Sequence, residues 1–269
     1  MSSELKILFV GDVVGEDSLK FLVDHLPKLK EENSPDMIIV NGENVWQGKG
    51  LNEEEAQLLF DAGTDVITTG NHVWENWKSR PLLAKNSNVL RPYNYPPGNT
   101  GRGFTFVKVK DTEVAVLQLQ GRTYMQHIDC PFRGADHALK TIAERTPNII
   151  IDFHAEATAE KMSMAWHLDG QVSAIIGTHT HVPTDDAQIL PKGTAYLTDV
   201  GMTGPHDSVL GMRKDVALKR YLLQTAHKYE MAEDDIKINA ALIKLDSSTG
   251  QSMEISRFTY PEFISKAGI

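Results

Sequence analysis

The chain has 269 residues, 41% of them hydrophobic and 23% charged, with a formal net charge of −9. This composition is that of a soluble globular protein long enough to bury a sizeable core without disulfides or structural metals. One cysteine, Cys130, excludes an intrachain disulfide and favours a reducing compartment, and the anionic balance argues against non-specific binding to a nucleic-acid backbone while leaving a small phosphate substrate open if metals supply positive charge locally.

The amino terminus, Met1-Ser2-Ser3-Glu4-Leu5, has no basic region, and the apolar stretch ending at Val10 is too short for a signal sequence or a membrane span. The expectation is a cytoplasmic protein with no membrane contact. No repeat, low-complexity tract or long linker divides the sequence, so residues 1–269 are read as a single domain.

In chain order, short runs rich in Val and Ile are each followed by a turn signal. Lys6–Val10 precedes Gly11-Asp12, Met37–Val40 precedes Asn41-Gly42-Glu43-Asn44, and Val66–Thr69 precedes Gly70-Asn71-His72. Asn148–Phe153 precedes His154, and Val172–Ile176 precedes Gly177-Thr178-His179-Thr180-His181. Such runs read as buried strands. Asn52 is placed to cap a helix over Glu53–Ala62, whose three opening glutamates suit the positive end of the dipole. Further helices are predicted at Ala135–Arg145, Thr158–Leu168 and Arg213–His227. Phe104–Val109 with Val114–Leu119, and Ile238–Leu245 with Ser252–Tyr260, read as antiparallel hairpins. The pattern predicts α/β architecture with a mixed sheet system, two packed sheets with helices outside fitting best.

Five strands therefore end in polar groups able to bind metal or move a proton. Ligands in α/β sheets gather at the carboxyl ends of strands, so folding into one sheet would bring Asp12, Glu43, Asn44, Asn71, His72, His154, His179 and His181 to one edge. This oxygen and nitrogen set suits manganese, iron or zinc, and a bridging carboxylate can hold two ions roughly 3.5–4 Å apart. His179 and His181 are the sharpest signal, since residues two apart on an extended strand point the same way. Taken alone, the other motifs read more simply as strand-to-loop turns or a satisfied loop histidine, and it is their joint occurrence at strand ends that carries the signal. His25, His127, His137, His167 and His227 read as surface or helix residues, and Cys130 as a small buried hydrophobe. His206 lies in a Gly-rich loop, Gly201-Met202-Thr203-Gly204-Pro205-His206-Asp207, placed as a turn or a site wall. Gly48-Lys49-Gly50 and Gly101-Arg102-Gly103 each offer a cation and backbone donors to a phosphate.

The order of these motifs resembles the calcineurin-like metallophosphoesterases, and within them the bacterial YmdB-like branch. The shared stretches include Gly11-Asp12-Val13-Val14-Gly15, Asn41-Gly42-Glu43-Asn44, Asp152-Phe153-His154-Ala155-Glu156-Ala157-Thr158 and Asp199-Val200-Gly201-Met202-Thr203-Gly204-Pro205. Three positions depart from the wider superfamily. Val14 stands where a histidine is usual, Glu43 replaces the bridging aspartate, and Val73 replaces the acid that orients the histidine of the Asn-His pair. These departures match the YmdB-like branch, with Asn44 restoring a ligand and His72 left without its usual carboxylate.

The resemblance implies a four-layer α/β/β/α sandwich of two mixed sheets flanked by helices. It implies two metal ions, iron or manganese ahead of zinc or magnesium, one on Asp12, Glu43, Asn44 and His181 and the other on Glu43, Asn71, His154 and His179. It further implies in-line attack of a metal-bridging hydroxide on a 2′,3′-cyclic nucleotide to give the 3′-nucleotide, with His72 beside the phosphate. Self-association into a homo-oligomer is expected. The alternatives are a phosphoprotein phosphatase of the same superfamily and a non-catalytic metal-bound regulatory protein.

Overall fold

Alternation within single strands sets the layers of this protein. In the computed structural model, which describes residues 4–263, β1 (Glu4–Val10) sends Leu5, Ile7 and Phe9 to one side and Leu8 and Val10 to the other, all of them buried. The chain continues through α1 (Glu16–Asn33), β2 (Met37–Asn41), α2 (Glu53–Asp61), β3 (Val66–Thr68), a 3₁₀ turn at Asn71–Trp74 and α3 (Ser79–Lys85). Next come β4 (Phe104–Val109), β5 (Thr112–Gln120), α4 (Pro131–Ile142), β6 (Ile149–His154), α5 (Thr158–Leu168) and β7 (Ala174–Thr178). It ends with the short β8 (Gln188–Ile189), β9 (Ala195–Leu197) and β10 (Gly204–Pro205), then α6 (Lys214–Leu223), β11 (Ile236–Asp246) and β12 (Ser252–Tyr260).

Two mixed sheets result. In the first, β1, β2 and β3 are parallel, β11 runs antiparallel beside β1, and β10 and β12 pair with β11. In the second, β5, β6, β7 and β9 are parallel, with β4 and β8 antiparallel at the edges. The layer between the sheets is filled by Ile7, Phe9, Met37 and Ile243 from one and Val114, Val116, Ile150 and Ile176 from the other. Outside the first sheet, Leu19, Leu22, Leu26 and Leu29 of α1 pack on Leu8, Val10, Ile38 and Val40. Outside the second, Ala135 and Ile142 of α4 and Met164 and Leu168 of α5 cover Leu117, Ile151 and Phe153. Each fully buried Leu, Ile or Phe contributes about 1.5–3 kcal/mol, so strands apolar on both faces are what this four-layer α/β/β/α sandwich requires.

Local chemistry sets most boundaries. Asn52 caps α2 in a full capping box, its side chain accepting from the Glu54 and Glu55 amides while Glu55 accepts from the Asn52 amide. α4 starts earlier than expected because Pro131, with no N–H to leave unpaired, takes its first turn. α6 stops at Leu223, where Gln224 turns left-handed at φ 52°, short of the expected His227. α1 and α3 are absent from the expected set; α1 carries Pro27 in its interior and no side-chain cap at Gly15, which hides the Leu19-Leu22-Leu26-Leu29 stripe. No described helix is long and apolar enough to cross a membrane.

Candidate metal and catalytic centre

One expectation is corrected by the topology. The polar strand ends come from two sheets rather than one: Asp12, Glu43, Asn44, Asn71 and His72 follow β1, β2 and β3, while His154 ends β6 and His179 and His181 follow β7. The carboxyl ends of both sets of parallel strands share one rim, so the site is a seam between sheets.

A second correction concerns His179 and His181. β7 ends at Thr178, and the two histidines have φ of 96° and 65°, so they are not on an extended strand. Their rings go to different places. His179 Nδ1 lies 3.0 Å from His154 Nε2, whereas His181 Nε2 lies 3.3 Å from Asn44 Oδ1.

Outer partners assign the proton on each ring. Thr178 Oγ1 donates to Asp152 Oδ1 at 2.7 Å and so accepts from His154 Nδ1 at 2.9 Å. His179 Nε2 faces Glu156 Oε2 at 3.2 Å, and His181 Nδ1 donates to the Leu210 carbonyl at 3.1 Å. Holding one nitrogen this way orients the other as a metal ligand. Asn44 is fixed likewise: its Nδ2 donates to Gly48 O at 2.9 Å, leaving Oδ1 to face His181.

The inward atoms converge. Around His154 Nε2 lie Glu43 Oε1 at 2.8 Å, Asn71 Oδ1 at 3.1 Å and His179 Nδ1 at 3.0 Å. Glu43 Oε1 and Asp12 Oδ1 are buried without any hydrogen bond. In the neutral tautomers that the outer bonds select, these are lone pairs facing lone pairs, an arrangement that a cation relieves. Gly70 keeps the cluster open, because a Cβ there would sit 2.2 Å from Glu43 Oε2 and 2.3 Å from His154 Nε2.

Protonation follows the same logic. Burial would lower His154, but the charges of Glu43, Asp12 and Asp152 raise it to about 9. Burial, with Asp199, Glu43 and Asp152 adding to it, raises Asp12 to about 8 against the pull of His154. Burial would also raise Glu43, yet His154, His72 and His179 draw it down to about 2. His179 is held near 3 by burial and by His154. Without metal, a proton on His154 therefore stands in for the cation. The donor set fits metal, with Glu43, Asn71, His154 and His179 at one point and Asn44 with His181 beside it; Glu43 also acts electrostatically on His181. Asp12 lies against this group, its Oδ2 accepting the His179 amide at 3.3 Å and its Oδ1 3.7 Å from His154 Nδ1.

His72 has the carboxylate that Val73 does not provide. Glu75, three residues on in the same turn, brings Oε1 to 2.8 Å from His72 Nδ1, and its Oε2 accepts from Lys49 Nζ at 2.5 Å. The His72 amide donates to Glu43 Oε2 at 3.2 Å, tying the turn to the cluster. A cavity of about 590 Å³ opens here, lined by Glu43, Asn44, His72, His179 and His181 within and by Lys49, Arg220 and Tyr229 further out. Lys49 is thus at the site, whereas Arg102 and His206 do not line the cavity, and His206 instead meets Asn239 Nδ2 at 3.2 Å.

Several supporting residues escaped sequence reasoning. Lys161 is fully buried and donates to Thr178 O at 2.8 Å and Asp199 Oδ2 at 2.6 Å. Asp199 also accepts from Thr180 N at 3.1 Å and Thr180 Oγ1 at 2.7 Å, clamping the residue between the two left-handed histidines. Asp152 accepts from Thr68, Asn41 and Thr178, joining both sheets beneath His154. The visible signal for Asp152 and Asp199 was an acid inside a motif, and Gly70 was read only as a strand-ending turn; Lys161 and Glu75 carried none of their own.

Residues 8–258 match the family model described as YmdB-like protein. The chain is 45% identical over 253 residues to the 2′,3′-cyclic-nucleotide 2′-phosphodiesterase of Bacillus subtilis, covering 94% of this chain and 96% of that protein. A hypothetical protein from Thermus thermophilus superposes with a TM-score of 0.90 at 40% identity, covering 96% of this chain and all of the other. A novel phosphatase from Mycoplasma pneumoniae gives 0.90 at 30% identity, covering 96% and 94%. The chain belongs to the YmdB-like family of the metallophosphoesterase fold.

Proposed function

We propose that this protein is a metal-dependent phosphodiesterase that opens 2′,3′-cyclic nucleotides to 3′-nucleotides. The observation that carries this reading is the tautomer pattern: three histidines each give one ring nitrogen to an outer partner and turn the other inward, two onto the cluster around Glu43 and one onto Asn44. The activity named for the Bacillus subtilis relative supports the substrate class.

In this reading Glu43, Asn71, His154 and His179 hold one ion, and Asp12, Glu43, Asn44 and His181 hold the other, with iron or manganese the preferred occupants. Bound there, the ions neutralise phosphate charge and activate water. The protein's own groups do the rest. In the protonated ring, the Nδ1–H donates to Glu75 and the Nε2–H is the donor offered to the phosphate or leaving oxygen. Lys49 and Arg220 give the cavity wall positive charge against the chain's net −9 and suit an anionic diester. The cavity of about 590 Å³ is of small-molecule size, which favours a nucleotide over the phosphoprotein of a protein phosphatase. A second partner for every histidine keeps the ring positions fixed before substrate enters.

Metal analysis of the purified protein, combined with rates on 2′,3′-cyclic, 3′,5′-cyclic and linear phosphoesters, tests this. Two ions per chain and preference for the 2′,3′-cyclic diester are expected. Bound metals without turnover of any ester would instead make the protein a metal-bound regulator, and faster monoester hydrolysis would make it a phosphatase.

A further inference from the structure

A second cavity, of about 510 Å³, shares no lining residue with the catalytic pocket. Its wall combines the segment 91–97 with the first turn of α4. Two guanidinium groups, Arg91 and Arg133, are there with a single carboxylate, Asp129, on a chain whose net charge is −9. Arg91 is only 9% exposed. Its Nη1 donates to the carbonyls of Pro92 at 2.8 Å and Tyr93 at 3.1 Å, while its buried Nε has no acceptor. Among the described residues neither Arg91 nor Arg133 pairs with a carboxylate. Burying a cation without a counter-charge is costly, so Arg91, whose Nε lies out of a ligand's reach, favours through its unpaired charge an anion that the protein itself does not supply.

The rest of the wall suits that anion. Arg133 lies in the first turn of the 12-residue helix α4, whose free amides and dipole favour negative charge. His137 lies one turn further, with Nδ1 2.7 Å from Tyr93 Oη; with the phenol donating, the ring's own proton is on Nε2. Tyr93 and Tyr95, both half-buried, add aromatic surface on which a base can stack. Guanidinium forks match phosphate oxygens in pairs, and the volume is of the size that encloses a small organic ligand. We propose that this cavity binds a phosphate-bearing molecule of mononucleotide size, held by Arg91, Arg133 and the start of α4. The proposal does not depend on the metal centre.

Isothermal titration of chelator-treated protein, in which the catalytic centre lacks its ions, tests it with two probes, inorganic phosphate and adenosine 3′-monophosphate. One nucleotide per chain should bind, phosphate should compete more weakly, and Arg133→Ala should weaken binding at least about tenfold with unchanged circular dichroism. Arg91→Gln should do the same; Arg133 is exposed, so the result stands on Arg133→Ala alone if the buried variant does not fold. Lys49→Ala, in the other pocket, should leave the dissociation constant unchanged. No saturable binding, wild-type affinity in Arg133→Ala, or loss of binding in Lys49→Ala would overturn the site. Equal affinity for the two probes would overturn the mononucleotide assignment.

Discussion

Glu75 Oε1 lies 2.8 Å from His72 Nδ1, so the carboxylate that orients this histidine comes from three residues downstream rather than from position 73. Burial would raise Glu75, but Lys49 and His72 hold it below its ordinary value, so it stays ionised at neutral pH. His72→Ala should keep both metals and lose about a hundredfold or more in turnover. Glu75→Gln should keep both metals and lose about tenfold or more in kcat, because the proton on Nδ1 is no longer held by a charge. Metal analysis beside steady-state kinetics checks both, and full activity in Glu75→Gln would remove the pair from the mechanism.

Glu43 is expected to serve both metal positions, since it touches His154 and acts on His181 as well. Glu43→Ala should therefore empty or weaken both, whereas Asn44→Ala should weaken chiefly the ion beside His181. Two-step metal titrations followed by calorimetry separate these outcomes. Loss of only one ion from Glu43→Ala would show that the carboxylate does not bridge.

How much of this was readable in advance follows from the kind of interaction involved. The strand ends carrying Asp12, Glu43, Asn71 and His154 were visible because alternation and turn residues are local in sequence. The capping box at Asn52 was visible for the same reason. Two packed sheets were expected, but which strands join which sheet was not readable, because β1 and β6 have the same both-faces-buried pattern whichever sheet they join. His179 and His181 were found for a mistaken reason: their spacing suggested a strand, while the backbone is left-handed and held by Asp199 from a distant loop. Lys161 looked like an ordinary helix lysine, since only its tertiary partners reveal that it is buried.

Gly70 should tolerate no side chain. Its φ of −154° is outside the positive range that favours glycine, and space is the sharper constraint: an alanine Cβ would overlap Glu43 Oε2 and His154 Nε2. Gly70→Ala should fold, since the turn need not change conformation, and should lose metal by displacing both ligands. Unaltered metal content by plasma emission spectroscopy would show that the ligands give way.

Metal removal should make stability depend on pH with a definite sign. Asp12, raised from 3.8 to about 8, and His154, raised from 6.5 to about 9, both bind protons more tightly folded than unfolded. Their contribution is complete at low pH and is lost as pH rises through those windows. Glu43, lowered to about 2 from 4.5, and His179, lowered to about 3 from 6.5, act oppositely, adding stability as pH rises from 2 to 4.5 and from 3 to 6.5. The Tm of the chelated protein should thus fall most steeply between pH 6.5 and pH 9, where Asp12 and His154 lose their contributions and neither Glu43 nor His179 offsets them. Metal-loaded protein should not show that fall, because the ions replace the proton on His154. Parallel melting curves for both forms across this range check the sign.

The clamp on Thr180 separates the stability of the fold from the geometry of the site. Lys161 and Asp199 are both fully buried, so Lys161→Met leaves an uncompensated carboxylate and should cost about 3–5 kcal/mol. Thr180→Val is milder. It removes one hydroxyl bond to Asp199, worth about 1 kcal/mol, and keeps the Thr180 amide bond and the ion pair. The two flanking histidines hold left-handed backbone, each at a cost of about 1–3 kcal/mol, and that conformation persists only while its surroundings enforce it. Loosening residue 180 should therefore let both rings drift from His154 and Asn44. Thr180→Val should lose only a few degrees in Tm yet about tenfold or more in metal affinity at both positions. A metal affinity equal to wild type, measured on a variant with the expected small drop in Tm, would show that the turn keeps its shape without Asp199.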